Sequence, residues 1–174
     1  MTIVDKQKDQ LLEAYDQYAD ALFRHCYFRV YDRECAKDLV QDTFVKTWEY
    51  LAGGKPIDNM RAFLYRVANN LVIDYVRRKK TIPLEDLTEQ GFEPSSGEHT
   101  IWRTEAVIAS EQVIRIMHAL GEPYKSVAIM RFVDDMSPKE IAAILGETEN
   151  AVSVRIHRAA RRVRELWEQK GEYM

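Results

Sequence analysis

The sequence predicts an all-α protein: two small helical domains joined by a flexible acidic linker. Apolar residues recur at spacings of three and four along most of the chain, no strand-like alternation of useful length occurs, and one central stretch loses periodicity altogether. A length of 174 residues suits one ordinary domain or two small ones, so the periodicity decides. With 46% hydrophobic and 30% charged residues, the chain lies above the low-hydrophobicity regime of disorder and is expected to fold around buried surface.

Leu11, Tyr15, Tyr18, Leu22, Cys26 and Val30 form the stripe of a first amphipathic helix. A second stripe runs Ala36, Leu39, Val40, Phe44, Trp48, Leu51, after which Gly53 and Gly54 stop the helix and Pro56 keeps the chain extended. Asp58 or Asn59 caps a third helix, with Phe63, Leu64, Val67, Ala68, Leu71, Val72 and Tyr75 inward, that leads into Arg77, Arg78, Lys79 and Lys80. These three helices make a first domain over residues 1–80.

Residues 81–105 read as the linker. Pro83, Gly91, Pro94 and Gly97 punctuate them, and one basic residue stands against six acids. Ile82, Leu84, Leu87, Phe92 and Trp102 are too apolar for a pure spacer, so parts of the linker are expected to lie against something. The second domain spans 106–174. Its first helix carries Val107, Val113, Ile114, Met117 and Leu120 and ends at Gly121. Pro123 suits the first turn of a fifth helix with Tyr124, Val127, Ala128 and Phe132.

The densest signal follows. Ser137 and Glu140 form an S-x-x-E capping box, Pro138 fits the first helical position, and Ile141, Ala142 and Leu145 supply a buried side. Gly146 takes a left-handed stop and Thr148 caps the next helix, the layout of a helix-turn-helix, with Ala142 small enough to let the two helices approach. At about 100° per residue, Val152, Ile156, Ala159, Val163 and Trp167 turn inward. Asn150, Val154, His157 and Arg161 turn outward, flanked by Ser153 and Arg158. Such a row can read base edges through hydrogen bonds and methyl contact while its arginines reach phosphates. No acid interrupts residues 155–164, which favours DNA over the alternative of a solvated helix surface.

The third helix mixes Phe63, Tyr65 and Tyr75 with Arg61, Arg66, Asn69, Asn70, Arg77 and Arg78. Rings that stack on bases and cations that follow a backbone suit single-stranded DNA. Ordinary packing of the same rings is the competing reading.

Other classes find little support. No uncharged apolar run reaches the roughly 18 residues of a membrane span, and Met1 to Gln10 lacks a signal-peptide layout, so a cytoplasmic protein without membrane insertion is expected. Cys26 and Cys35 have no CxxC company, and His25 beside Cys26 lacks further ligands, so no metal site and no cofactor are predicted. No paired carboxylates, nucleophile and base, or phosphate loop emerges, so no catalytic residue and no enzyme is expected. A net charge of −3 argues against non-specific coating of nucleic acid. The acidity is concentrated in the linker, with basic clusters on either side.

Three stretches carry a family resemblance: DLVQDTFVKTW (38–48), DNMRAFLYRVANNLVIDYVRRKK (58–80) and LGEPYKSVAIMRFVDDMSPKEIAAILGETENAVSVRIHRA (120–159). In this order they resemble the conserved regions of bacterial extracytoplasmic-function sigma factors. The resemblance implies a non-catalytic initiation factor that gives core RNA polymerase its promoter specificity. Asp38, Gln41, Asp42 and Trp48 would dock on the clamp helices of the largest polymerase subunit, and the second domain would meet the flap. Asn59, Arg61, Arg66, Asn70, Asp74, Arg77 and Arg78 would form the surface that melts and reads the minus-ten element as single-stranded DNA. The loop from Ala52 to Met60 would be the rim that accepts an extruded base. Asn150, Ser153, Val154, Arg155, His157, Arg158 and Arg161 would face the duplex minus-thirty-five element. The linker would thread through the polymerase, and an anti-sigma factor would hold the protein inactive.

The sequence also departs from the family pattern. Met60 stands where proline is usual, Asn69 where arginine is common, and Glu147, Ser153 and Val154 replace frequent apolar, Lys and Ser residues, so the promoter sequence is not legible. A helix-turn-helix repressor or activator independent of polymerase would explain residues 120–167 but leave 38–48 without a task. A helical adaptor protein would show no salt-dependent DNA affinity.

Overall fold

The computed structural model describes residues 3–81 and 105–171, and every regular element among them is a helix. Helices α1 (Ile3–Val30), α2 (Arg33–Ala52) and α3 (Met60–Thr81) pack on one another. Helices α4 (Glu105–Ala119), α5 (Tyr124–Ala128), a π-helical turn (Ile129–Val133), α6 (Pro138–Leu145) and α7 (Glu149–Gly171) make the second half, with α7 against α4, α5 and α6. The predicted linker lies outside the described residues except at its ends, and with it the expectation that Ile82, Leu84, Leu87, Phe92 and Trp102 rest on a surface.

The first half is fixed by a buried core shared by its three helices and by caps. Ala14, Leu22 and Cys26 of α1, Ala36, Leu39, Val40 and Phe44 of α2, and Leu64, Ala68 and Val72 of α3 are all buried in the core. Asp32 caps α2 by accepting the Cys35 N–H at 2.9 Å, and Tyr31 turns the chain between α1 and α2 with φ of 56°. At the other end of α2, Gln7 of α1 donates to the Leu51 carbonyl at 2.7 Å, one of the carbonyls the helix leaves orphaned. Gly54 (φ 75°) completes that stop. Tyr15 departs from the expected inward stripe. Ala14 takes the buried position at that turn, and Tyr15, one residue further round and 51% exposed, lies across the Phe44 ring at 4.9 Å.

In the second half Pro123 occupies the cap position of α5 rather than its first turn, following a cis bond from Glu122. The predicted fifth helix does not continue as an α-helix to Phe132. The π-helical turn spreads its residues more widely, so Ile129 and Met130 are buried and Phe132 is turned out, 52% exposed. This turn also places Asp134, whose N–H donates to the Ile129 carbonyl at 3.0 Å.

Ser137 caps α6 as expected. Its hydroxyl accepts from the Glu140 N–H at 3.2 Å, and the Glu140 carboxylate accepts from the Ser137 N–H at 2.8 Å. Ser137→Ala is expected to cost about 1 kcal/mol in chemical unfolding of this half, because the Glu140 N–H loses its side-chain acceptor at the start of the helix.

The halves are in contact. Helix α3 packs on α6, and α1 packs on the π-helical turn and α4.

Candidate nucleic-acid interface

The turn between α6 and α7 is built as the sequence suggests. Gly146 adopts φ 68° and ψ 33°, its N–H donates to the Ala142 carbonyl, and the Thr148 hydroxyl accepts from the Ala151 N–H at 3.2 Å. Val152 and Ala159 of α7 are buried, with Ile156 and Val163 half-buried beside them. The expected inward Trp167 is 48% exposed. It lies near the end of α7, and with Met117, Phe132, Ala160, Val163, Arg164 and Glu168 it walls a groove of about 400 Å³.

Asn150, Val154, His157, Arg158 and Arg161 project from the opposite side of α7 and are exposed, while Ser153 is half-buried. Arg155 has a different environment. Its two terminal nitrogens donate to both carboxylate oxygens of Glu147 at 2.9 and 2.6 Å, a two-point ion pair that raises its pKa from the ordinary arginine value. The pair ties the turn to the helix. Arg161 lies 3.7 Å from Glu165, and the Arg162 guanidinium stands 5.0 Å from the centre of the Tyr124 ring.

On α3, Asn59 is the cap, accepting from the Ala62 N–H at 2.9 Å. Arg66, Asn70, Asp74, Arg77 and Arg78 are exposed along the helix. The competing reading of the aromatic residues holds for Tyr65. This ring is 1% exposed and meets the His25 ring edge-on at 5.2 Å, and burial beside Asp134 raises its pKa. Phe63 packs on Tyr50 at 4.7 Å. Asn69 is buried too, accepting from Arg29 at 2.9 Å.

Arg61 and Arg66 reach across to the second half. Arg61 donates to Glu140 at 2.9 Å and to the Asp134 carbonyl at 2.8 Å, and Arg66 donates to the Ala143 carbonyl at 2.8 Å. The Glu140 carboxylate is held below its ordinary pKa, first by the Ser137 N–H and further by Arg61. Nearby, His25 Nδ1 lies 2.7 Å from Asp134 Oδ2, and Arg29, its pKa lowered by burial, lies 3.3 Å from Glu122. Sequence reasoning missed Arg29, Glu122, Asp134 and the contacts of Glu140. Each pairs with a residue far along the chain, and no local spacing marks such a pair.

On α2, Asp38, Gln41 and Asp42 are exposed together with Val45 on the same face, while Trp48 is half-buried. The two thiols are free and lie on this half. Burial raises the Cys26 thiol to about 12, and Cys35, half-buried, is also raised, first by burial. Both are expected to resist modification near pH 8 in the folded protein. In a thiol-disulfide exchange assay with and without denaturant, Cys35 should react before Cys26, and Cys26 only on unfolding.

Comparison with known proteins then gives this arrangement a family. Residues 14–82 match the family described as Sigma-70 region 2, and residues 110–163 match Sigma-70, region 4. The RNA polymerase sigma factor YlaC of Bacillus subtilis is 29% identical, over 88% of this chain and 90% of its own length. An RNA polymerase sigma-E factor of Streptomyces avermitilis is 31% identical, over 87% of this chain and 81% of its own length. Among solved structures, the sigma factor RpoE of Bartonella quintana, determined with the anti-sigma factor NepR, has a similar fold. Its TM-score is 0.70 at 22% identity, covering 92% of this chain and 96% of that one. The chain belongs to the extracytoplasmic-function sigma factors of the sigma-70 family.

Proposed function

We propose that the sigma factor divides its task between the two halves: residues 1–80 engage polymerase and the minus-ten element, residues 106–174 engage the minus-thirty-five element, and 81–105 link them. As a sigma factor the chain directs core RNA polymerase to promoters and assists their opening. It catalyses no reaction of its own and works in the cytoplasm. No helix among the described residues is long and apolar enough to cross a membrane.

The observation that carries the reading is the exposed side of α7. Asn150, Val154, His157, Arg158 and Arg161 project from a helix that begins directly after a capped helix and a glycine turn. In the major groove Asn150 would reach a base edge, Val154 a thymine methyl, and Arg158 and Arg161 guanine or phosphate. Arg155 would contribute less than sequence suggests, because Glu147 neutralises it. Asn59, Arg61, Arg66, Asn70, Asp74, Arg77 and Arg78 would hold the unpaired minus-ten strand, with the rim at Ala52 to Met60 selecting an extruded base.

Asp38, Gln41 and Asp42, with Val45 and the half-buried Trp48, present an acidic face with an apolar centre to the clamp helices of the largest polymerase subunit. The groove between Phe132 and Trp167 offers the flap an apolar seat, and an anti-sigma factor would compete for such surfaces. Run-off transcription with purified core polymerase, followed by mapping of start sites, tests the reading. Defined start sites that require the added chain are the expected result, and a protein that binds duplex operator tightly alone while leaving polymerase unchanged would be a repressor instead.

A further inference from the structure

A cluster of basic groups gathers where α1, α4 and α5 meet near the end of α3, and it uses none of the residues assigned to DNA or polymerase. Arg29 of α1 and Lys125 of α5 are buried, at 6% and 9% exposure, while Lys79 of α3 and His118 of α4 stand exposed at the rim. Glu122 is the carboxylate that answers them. One of its oxygens lies 3.3 Å from Arg29, and the other accepts from the Ser126 N–H and hydroxyl. Asp134, whose charge also reaches Arg29, is engaged by His25, and Asp32 caps α2.

Lys125 is the least satisfied member. An ammonium carries three N–H donors, and among the described residues its hydrogen-bond acceptor is His118 Nδ1, at 3.5 Å. Glu122 acts on it from a distance, without an ion pair. Burial and then Arg29 lower the Lys125 pKa, and burial followed by Lys125 and Lys79 lowers that of His118. Taking charge out of water is costly unless partners compensate, and here the folded chain places cations beside one another instead. Rings stand next to them. Tyr31 takes φ of 56°, a left-handed conformation that is costly for a bulky side chain, and its ring lies 5.7 Å from that of His118.

We propose that this cluster is a binding site for the phosphate group of a small molecule: Lys125 donates to the phosphate oxygens, Arg29 and Lys79 add charge, and the Tyr31 and His118 rings wall the site. An oxyanion supplies what the cluster lacks, acceptors for the ammonium and negative charge among cations. Lysine suits the task as a compact charge with rotatable donors. A nucleotide would gain further contact with the Tyr31 ring, which inorganic phosphate would not. The ligand would touch Arg29 and Lys79 from the first half and Lys125 and His118 from the second, so binding needs the intact chain.

The test uses the full-length protein and two probes, inorganic phosphate and adenosine monophosphate, each compared with sodium chloride at matched ionic strength. A ligand of the folded state raises the melting temperature in a concentration-dependent way. Both probes should raise it saturably and by more than the salt control. Lys125→Gln should weaken binding about tenfold, as loss of a charge-assisted contact, and Lys79→Gln about threefold, as loss of an exposed charge. Since a nearby negative charge favours the imidazolium, the His118 pKa should rise on binding, read from the NMR signals of its ring C–H groups.

Tighter binding of adenosine monophosphate assigns the ligand to the nucleotides, and equal binding assigns it to the phosphate group alone; either result supports the site. A shift no larger than that of the chloride control, or one unchanged in Lys125→Gln, would overturn it. So would binding of a single-stranded oligonucleotide at these residues with neither small probe, which would make the cluster an extension of the DNA surface. Should Lys125→Gln lose helix content by circular dichroism, Lys79→Gln and the His118 titration decide.

Discussion

Replacing Arg77 and Arg78 together by alanine is expected to slow open-complex formation by roughly two orders of magnitude while leaving initial recruitment to the promoter nearly unchanged. The estimate takes about 1.5 kcal/mol for each charge-assisted contact to the unpaired strand, and about 1.4 kcal/mol corresponds to a factor of ten. Both arginines are exposed in the last turns of α3, followed directly by Lys79 and Lys80. Cations there also favour the helix itself, since its C-terminal carbonyls carry partial negative charge. The double substitution removes that small term as well, so helix content must be measured alongside. Stopped-flow fluorescence from a base analogue in the minus-ten element would give the opening rate, and gel shift of the closed complex would give recruitment. Loss of recruitment with normal opening would mean that the two halves exchange the roles proposed for them.

These arginines differ from Arg61 and Arg66 in a way that the sequence does not show. All four lie on one helix among the candidate DNA contacts, and periodicity alone treats them alike. The structure gives Arg61 and Arg66 hydrogen bonds to the second half and leaves Arg77 and Arg78 exposed near the end of α3.

What was legible in the sequence followed local rules. The capping box at Ser137 and Glu140, the left-handed Gly146 and the outward row of α7 each depend on residues within a few positions of one another. Helical periodicity found the stripes of α2 and α3 because those helices bury one continuous face. It misplaced Tyr15, Phe132 and Trp167 for three different physical reasons. Tyr15 yields the inward position to the smaller Ala14, Phe132 follows a turn whose period is not that of an α-helix, and Trp167 lies near the end of α7 on the wall of an open groove. The polar interface was illegible because its pairs span large sequence separations, such as 109 residues for His25 with Asp134 and 73 for Arg61 with the Asp134 carbonyl. The same Glu140 that local reasoning identifies as a capping residue also receives Arg61. One carboxylate thus serves a local signal and a long-range one.

Ile141→Ala is expected to carry the largest stability cost, about 2–5 kcal/mol, because it removes a fully buried branched side chain and leaves a cavity. Helix α6 has eight residues and packs on α7, the π-helical turn and α3, so little else holds it. Small units have little stability to lose, and a cost of this size removes most of it. The consequence depends on how strongly the halves are coupled. They share a continuous buried cluster, yet the face between them also carries partly exposed ion pairs such as Arg61 with Glu140, and such pairs release their partners to water at little cost. The second half should therefore unfold first, in a separate transition at lower temperature, while α1, α2 and α3 keep their helices. Hydrogen exchange would show it as lost protection in α6 and α7 with α3 unchanged. Transcription dependent on the minus-thirty-five element should fall with it. A single transition shared by both halves would instead show that the buried cluster dominates the charged face and couples the unfolding of one half to the other.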